Sequence, residues 1–573
     1  MNNNNQQKPC LVSTPQGFSV SYKNKFLYSK YNPSKTILST IENLALQPES
    51  IILAVSPVLT YGIKELLQKL PENCLVIAVE EDKELFDFIN EHKEEYGFSK
   101  NFILIPHEEL YSFPSLLAGP EVSLANGHIL PQAGLFRRII RIDFSAGSTF
   151  NETFYQNFCQ ACVNALKTFW ANRITLTRFG RTYSKNFFTN LKFIDKTKPL
   201  TSYFASVSKP IIVFGAGESL EEGIKEIKNN AGNYFILCVD TALQALLQSG
   251  IKADGVFIEE AQNVILKAFI GTKNNDFQIF AGLSSLPLIA KNFAPEKISF
   301  FTTLYCQTSF IKNLQKKNLL PPSNNPFGSV GLTTVYYALK FRKDSSVPVF
   351  IYGLDFAYQS GKTHAKGSMA HLQSLINSSK IKSIENYRSA YNPYTKAFIN
   401  AQNKKLFTSP SLASYAELFN GLFYNQKNLY KASNFGLKLE LEKKSPSSLG
   451  LNTDIKEEAG TDAGTVSGTD AGTVSGTSPA PEANKAVAFD SCYSNAIKDY
   501  FSDEIDSLQE LKKLLTSDCG LSASDLQEKI TQIAKPREYL YLHFADGNTF
   551  KYSQSFLNRI RIELEFFLKI FSL

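Results

Sequence analysis

Apolar residues in this chain come in short unbroken runs. Each run ends in polar or glycine-containing turn residues, and apolar positions three and four apart follow. "IILAV" (Ile51 to Val55) leads through "SPVLTYG" into Ile63, Leu66 and Leu67, "CLVIAV" leads into Leu85, Phe88 and Ile89, and "FILI" adds a further run. The rhythm resumes with "IIVF" (Ile211 to Phe214), "YFILCV", "GVFI", "FQIFAGL" and "VPVFIY". A run without polar alternation is a strand covered on both faces, and strands alternating with amphipathic helices form a parallel sheet. The pattern predicts an α/β protein with parallel Rossmann-like sheets in an N-terminal domain (1–205) and a central domain (206–440).

The rhythm stops after the central domain. "GTDAGTVSGTDAGTVSGTSPAPEANKA", an eight-residue repeat from Gly460, has no aromatic residues and few large apolar ones, so burial cannot offset the entropy of ordering it. Residues 441–488 are expected to be a flexible low-complexity linker. Beyond it, "DEIDSLQELKKLLTS" and "SFLNRIRIELEFFLKIFSL" space apolar residues helically, which predicts a mostly helical C-terminal module over 489–573.

Composition narrows the class. At 573 residues, 43% hydrophobic and 20% charged, the chain has the balance of a globular protein of several domains. The net charge of +7 is mild and its basic residues are dispersed, which argues against nucleic-acid binding. Eight scattered cysteines read as reduced thiols, and the close pair Cys159 and Cys162 as packed residues on a helix. The polar start "MNNNNQQKPC" lacks a signal-peptide core, and no apolar run is long enough for a membrane span. The expectation is a cytoplasmic protein.

Candidate chemistry gathers at the carboxyl ends of the central strands, where open α/β sheets bind ligands. "GAGES" follows the first strand, Asp240 and Thr241 the second, Glu260 the third, and Asp355 the strand "VPVFIY". The glycine turn is not a dinucleotide fingerprint, since Leu220 stands at the third glycine position, and no Gly-Lys-Ser/Thr follows to make a P-loop. Two readings stay open. Free amides and the helix dipole hold an anion there, or the glycines merely permit the turn while Ser219 and Glu222 form a capping box. Asn325, Gly328 and Ser329 precede another helix and either bind a ligand or cap it.

"GAGESL", "VDTALQALLQSGIKAD", "GSVGLTTVYYALKF", "IYGLDFAYQSGKTHA" and "LFTSPSLASYAELF" occur in an order that resembles the motility accessory factor (Maf) family of flagellin glycosyltransferases. "LYSKYNPSKTILSTIENL", "SPVLTYGIKELL" and "RFGRTYSKNFFTNL" extend the resemblance over roughly Tyr28 to Phe419. "GAGESL" and "GLDFAY" are also similar to elements of bacterial CMP-sialic-acid sialyltransferases. Glu218 and Glu260 depart from the Maf pattern, which has an uncharged residue and Asp there.

The resemblance implies transfer of a nonulosonic acid from a CMP donor to Ser/Thr of flagellin, with no cofactor beyond the activated sugar. It places the donor on Gly215, Gly217, Ser219, Asp240, Thr241, Glu260, Asn325, Gly328 and Ser329. A monophosphate leaving group and the lack of a D-x-D pair between Lys209 and Asn400 fit a reaction without metal. His364, one of six histidines, is the expected base or acceptor-site residue, in a loop whose Gly361 and Gly367 permit closure. Asp355 either orients that loop, contacts the ribose or serves a structural hydrogen bond. Tyr352 and Tyr358 either donate to the leaving phosphate or pack in the core. Thr408 and Ser409 stand where the acceptor side would lie. Two other readings remain: pterin diphosphokinase-like phosphoryl transfer from ATP, and a non-catalytic flagellin-binding protein of the same fold.

Overall fold

The structure is a computed structural model that describes residues 8–92, 100–117, 122–305, 308–385, 387–400, 402–450, 491–516 and 520–572. The repeat from Gly460 lies outside the described residues. Internal contacts divide the chain into two units: Met1–Phe179 with Leu542–Thr549, and Gly180–Tyr541 with Phe550–Leu573.

The first unit opens with an antiparallel sheet of β1 (Cys10–Thr14), β2 (Gly17–Tyr22) and β3 (Lys25–Phe26). Next come α1 (Lys35–Glu42), β4 (Ser50–Val55), α2 (Ile63–Lys69), β5 (Leu75–Val79), α3 (Lys83–His92) and β6 (Phe102–Leu104). After α4 (Phe113–Leu117) and the ribbon of β7 (Val122–Ser123) and β8 (Ile129–Leu130), β9 (Arg138–Asp143) completes a parallel sheet ordered β6-β5-β4-β9. Every residue of β4 and β5 is buried, as their unbroken apolar runs require. The sheet's switch point, between β4 and β9, is filled by the protein's own polar groups. Ser56 Oγ donates to Glu80 at 2.6 Å, Tyr155 donates to the same carboxylate at 2.7 Å, and Ser145 Oγ donates to the Ser56 carbonyl. Burial holds the Glu80 carboxyl up at about 7.

The helix α5 (Glu152–Leu191) runs through the division between the units. The boundary expected at 205/206 and the contact division at Phe179/Gly180 therefore differ. The last turns of α5 already belong with the central sheet: Asn186 donates to the carbonyls of Ala261 and Ser284, and Asn190 to those of Leu283 and Ser285.

The second unit is a βα succession: β10 (Ile211–Phe214), α6 (Leu220–Ile227), β11 (Phe235–Val239), α7 (Asp240–Gln248), β12 (Gly255–Ile258), β13 (Gln278–Gly282), α8 (Pro287–Asn292), β14 (Ile298–Thr303), α9 (Ser309–Lys316), β15 (Ser323–Asn324), α10 (Val330–Phe341) and β16 (Val349–Tyr352). Then follow α11 (Met369–Ile376), α12 (Tyr387–Ala390), the hairpin β17 (Lys396–Ile399) and β18 (Lys405–Thr408), α13 (Pro410–Phe423), β19 (Leu429–Lys431) and β20 (Glu442–Lys443). Nine strands form one parallel sheet, β15-β14-β13-β12-β11-β10-β16-β19-β20. The order reverses between β10 and β16, and this is the switch point. Phe257, Phe280, Tyr337 and Phe341 pack ring to ring with centroids 4.7 to 6.2 Å apart, which fixes α10 against β12 and β13.

The expected linker begins later than residue 441. β20 pairs with β19, and Ser447 N–H and Oγ both bond to Glu226, so the described residues up to 450 are tied to the sheet. The C-terminal helices α14 (Ser491–Thr516), α15 (Ala523–Ala534) and α16 (Gln554–Ser572) match the helical expectation. They do not stand alone: Phe188 of α5 meets Phe501, Tyr539, Phe567 and Phe571 edge-on, and Lys192 donates to the last carbonyls of α16.

Candidate functional site

At the switch point two strand ends interlock so tightly that only glycine fits. A Cβ on Gly215 would come within 2.3 Å of the Gly353 carbonyl, and one on Gly353 within 2.1 Å of the Gly215 carbonyl. Gly353 also sits at φ +71°, where a side chain is strained. On Gly217 a Cβ would meet Asp355 Oδ2 at 2.4 Å. The glycines therefore serve first to let β10 and β16 close on each other.

Asp355 is buried and accepts from the Ser219 N–H at 2.9 Å and from the Ser219 hydroxyl, which in turn accepts from Gly353 N–H at 2.7 Å. Burial raises the Asp355 carboxyl to about 6, against the lowering effect of these bonds and of Lys431. Ser219 is thus a brace between two strands. It makes no capping bond, and Glu222 accepts from Ser433 instead, so the expected capping box is absent. The amides of Gly215, Gly217 and Ser219 are donated to Tyr352, Gly353 and Asp355. The turn's N–H groups with no described acceptor are those of Ala216 and Glu218.

A cleft of about 750 Å³ opens over this turn, lined by Gly215, Ala216, Gly217, Thr241, Ser329, Gly331, Asp355 and His364 among others. At the α10 end the N–H groups of Val330 and Gly331 have no acceptor among the described residues, and Ser329 makes no side-chain cap bond. The His364 loop docks onto the glycine turn: Ala365 N–H donates to Ala216 at 3.0 Å, Lys366 N–H to Glu221 at 2.7 Å, and Lys362 pairs with Glu221 at 2.9 Å. Lys362 and Gln359 also engage one oxygen of Glu218, a residue that does not line the cleft. Desolvation lowers the His364 pKa, so its ring is neutral near pH 7, and Nδ1 meets the Thr363 hydroxyl at 3.0 Å.

A second hollow of about 400 Å³ shares Thr241, Ser329 and Val330 with the first and is lined by Asp240, Glu259, Glu260, Gly328, Tyr183 and Tyr305. Burial raises the Asp240 carboxyl to about 6, with Glu260 and Glu259 adding to the effect. Glu259 accepts from Thr303 and from Thr333 at 2.8 Å. Among the described residues no three His, Cys, Asp or Glu side chains are placed to hold a metal ion.

The fold thus gathers Gly215, Gly217, Thr241, Ser329, Asp355 and His364 in one cleft, and Asp240, Glu260 and Gly328 in the adjoining hollow. Ser219 lies behind the turn, buried, and lines neither. Asn325 is exposed and lines a separate hollow with Tyr336 and Lys340. Tyr352 points the other way, into a 2.5 Å bond to Glu226, whereas Tyr358 lines the cleft and donates to Ser389. Thr408 is buried on the Phe356 carbonyl, while Ser409 caps α13 and lines the cleft. Sequence reasoning passed over Glu259, Asn186 and Asn190. The paired carboxylates of "FIEE" were the available signal for the first, and nothing in a helical pattern marks the other two.

Residues 185–361 match a family model described as "6-hydroxymethylpterin diphosphokinase MptE-like". The whole chain is similar to the MAf glycosyltransferase from Magnetospirillum magneticum AMB-1, with a TM-score of 0.55 at 11% identity over 99% of this chain and 92% of that one. At that identity the likeness speaks to the fold, and it spans both units. An uncharacterized protein of Treponema pallidum (strain Nichols) is 28% identical over 131 residues, 22% of this chain and 62% of that protein. A second uncharacterized protein of the same strain is 30% identical over 580 aligned residues, 98% of this chain and 95% of its own length. Identity sustained over nearly the full length of both chains makes this protein a member of one family with that second Treponema pallidum protein, and the fold it carries is the Maf one.

Proposed function

We propose that this protein is a glycosyltransferase that moves a nonulosonic acid from a CMP donor to a Ser/Thr hydroxyl of flagellin. The carrying observation is a neutral, desolvated His364 on the wall of a cleft that also holds the unpaired amides of Ala216 and of the α10 end. In this reading the donor phosphate lies against those amides and the Ser329 hydroxyl, which oppose the charge that builds as the glycosidic bond to CMP breaks. The hydroxyls of the donor nucleoside donate to the carboxylates of the adjoining hollow. His364 takes the proton from the acceptor hydroxyl as its oxygen attacks the anomeric carbon. The single charged phosphate asks less of the site than a diphosphate would, so the transfer needs no metal.

The test is nucleotide preference. CMP should raise the melting temperature more than ATP does, EDTA should leave that rise intact, and incubation with CMP-sialic acid should release CMP. The match to the pterin diphosphokinase model supports a second reading, phosphoryl transfer from ATP. Stabilisation by ATP with Mg²⁺ alone would establish that reading and end the first.

A further inference from the structure

The hairpin β17–β18 leaves one strand edge open beside the cleft. Phe407 of β18 exchanges both backbone hydrogen bonds with Tyr358, each 2.9 Å. Along a strand, neighbouring residues turn their N–H and C=O to opposite sides. Leu406 and Thr408 therefore face β17, where the register pairs them with Phe398 and Lys396. Ala397 and Ile399 present their N–H and C=O to the far side, and no described residue takes them. Their surroundings are open: Tyr391 is 75%, Tyr394 76% and Ile399 68% exposed.

This edge leads into the site. Asn392, Tyr394 and Thr395 line the cleft that His364 faces, and β17 begins at the next residue. A strand paired with Ala397 and Ile399 enters the cleft within two residues, about 7 Å. The charge is one-sided as well. Residues 380–405 hold six exposed cations, Lys380, Lys382, Arg388, Lys396, Lys404 and Lys405, against one acid, Glu385, and none of the six is in an ion pair among the described residues.

We infer that this edge docks the acceptor polypeptide. An acidic, extended segment adds to β17 as a further strand, and its Ser/Thr hydroxyl continues into the cleft toward His364. Main-chain pairing supplies affinity with little demand on sequence, and the exposed tyrosines and cations supply the preference for an acidic partner. The excess positive charge of residues 380–405 disfavours a second copy of the same segment as the occupant. The inference rests on the glycosyl-transfer reading.

Ala397→Pro tests it. The substitution removes an N–H that bonds no described residue, and proline is tolerated on edge strands, so the fold should persist. With flagellin as acceptor, KM should rise about tenfold while kcat, CMP affinity and CMP release from CMP-sialic acid hold. Lys396→Glu should raise KM at low salt and less at high salt. In the unaltered protein, adding flagellin should slow hydrogen exchange at the Ala397 and Ile399 amides. Normal transfer with an unchanged KM in both variants and unprotected amides would overturn the inference and leave the function standing. Loss of self-association in Ala397→Pro with an unchanged KM would assign the edge to a second copy and overturn it too. If the unaltered protein turns over no CMP-sugar, both fall.

Discussion

His364 and Asp355 are both ionisable and both reach the same cleft, yet their surroundings set them different tasks. Desolvation lowers the His364 pKa below its ordinary 6.5, and among the described residues no carboxylate is bonded to the ring to reverse this. A base must be neutral to act, so the acid limb of kcat/KM should fall below pH 6.5. His364→Ala should reduce transfer roughly a hundredfold with CMP affinity nearly unchanged. An acid limb above pH 7, or near-normal transfer by the variant, would remove His364 from the role. Asp355 binds protons more tightly folded, at about 6, than its ordinary 3.8. Its effect on stability therefore runs against pH: stability falls by on the order of 2 kcal/mol as pH rises from about 4 to about 6. Asp355→Asn keeps one acceptor for Ser219 but loses the other, and also loses this slope. Urea unfolding should find the variant's deficit larger at pH 4.5 than at pH 7, and a deficit independent of pH would mean the carboxyl is not shifted.

At the scale of elements, the glycine turn is a joint between strands before it is a ligand loop. Gly353→Ala adds a Cβ that collides with the Gly215 carbonyl at a strained φ of +71°. Gly271→Ala places the same strain, φ +73°, where nothing lies within 4 Å. The second change should cost about 1 to 2 kcal/mol. The first should cost more than about 4 kcal/mol, because two backbones must separate. Equal losses in chemical denaturation would mean that the joint is loose. Gly217→Val is subject to the same constraint. Its side chain would strike Asp355 before reaching any ligand, so lost nucleotide binding would come with lost stability.

For the whole molecule, the C-terminal helices complete the unit that carries the site. Phe188 is fully buried among rings of the C-terminal helices, and the same stretch of α5 holds the loops after β12 and β13 through Asn186 and Asn190. Phe188→Ala should cost about 3 to 5 kcal/mol, and removing residues 489–573 should lower the melting temperature sharply and weaken nucleotide binding. Deleting Gly460 to Thr477 is the matched control, since its composition predicts no loss. A truncated chain that melts like the full one would make the helices an independent domain.

The chain's local chemistry alone marked the strands and helices of the two parallel sheets, but not the antiparallel pairs such as β1–β2 and β17–β18, which lack unbroken apolar runs. Runs such as "IIVF" and "FILCV" exclude water from both faces, and the helical spacing after each sets the direction of the sheet. It also marked the strand ends as the place to look, and most of the residues named there meet in two adjoining hollows. Local pattern carries no record of which groups a neighbour will consume. Ser219 reads as a cap and Gly217 as a phosphate contact until β16 arrives from more than a hundred residues away with Asp355 and the Gly353 carbonyl. The same holds for the N-terminal switch point, filled by Ser56 and Glu80, and for the open edge at Ala397. Hydrogen-bond partners and collisions are set by pairs of residues distant in sequence, so only the folded arrangement decided which polar groups were left for a ligand.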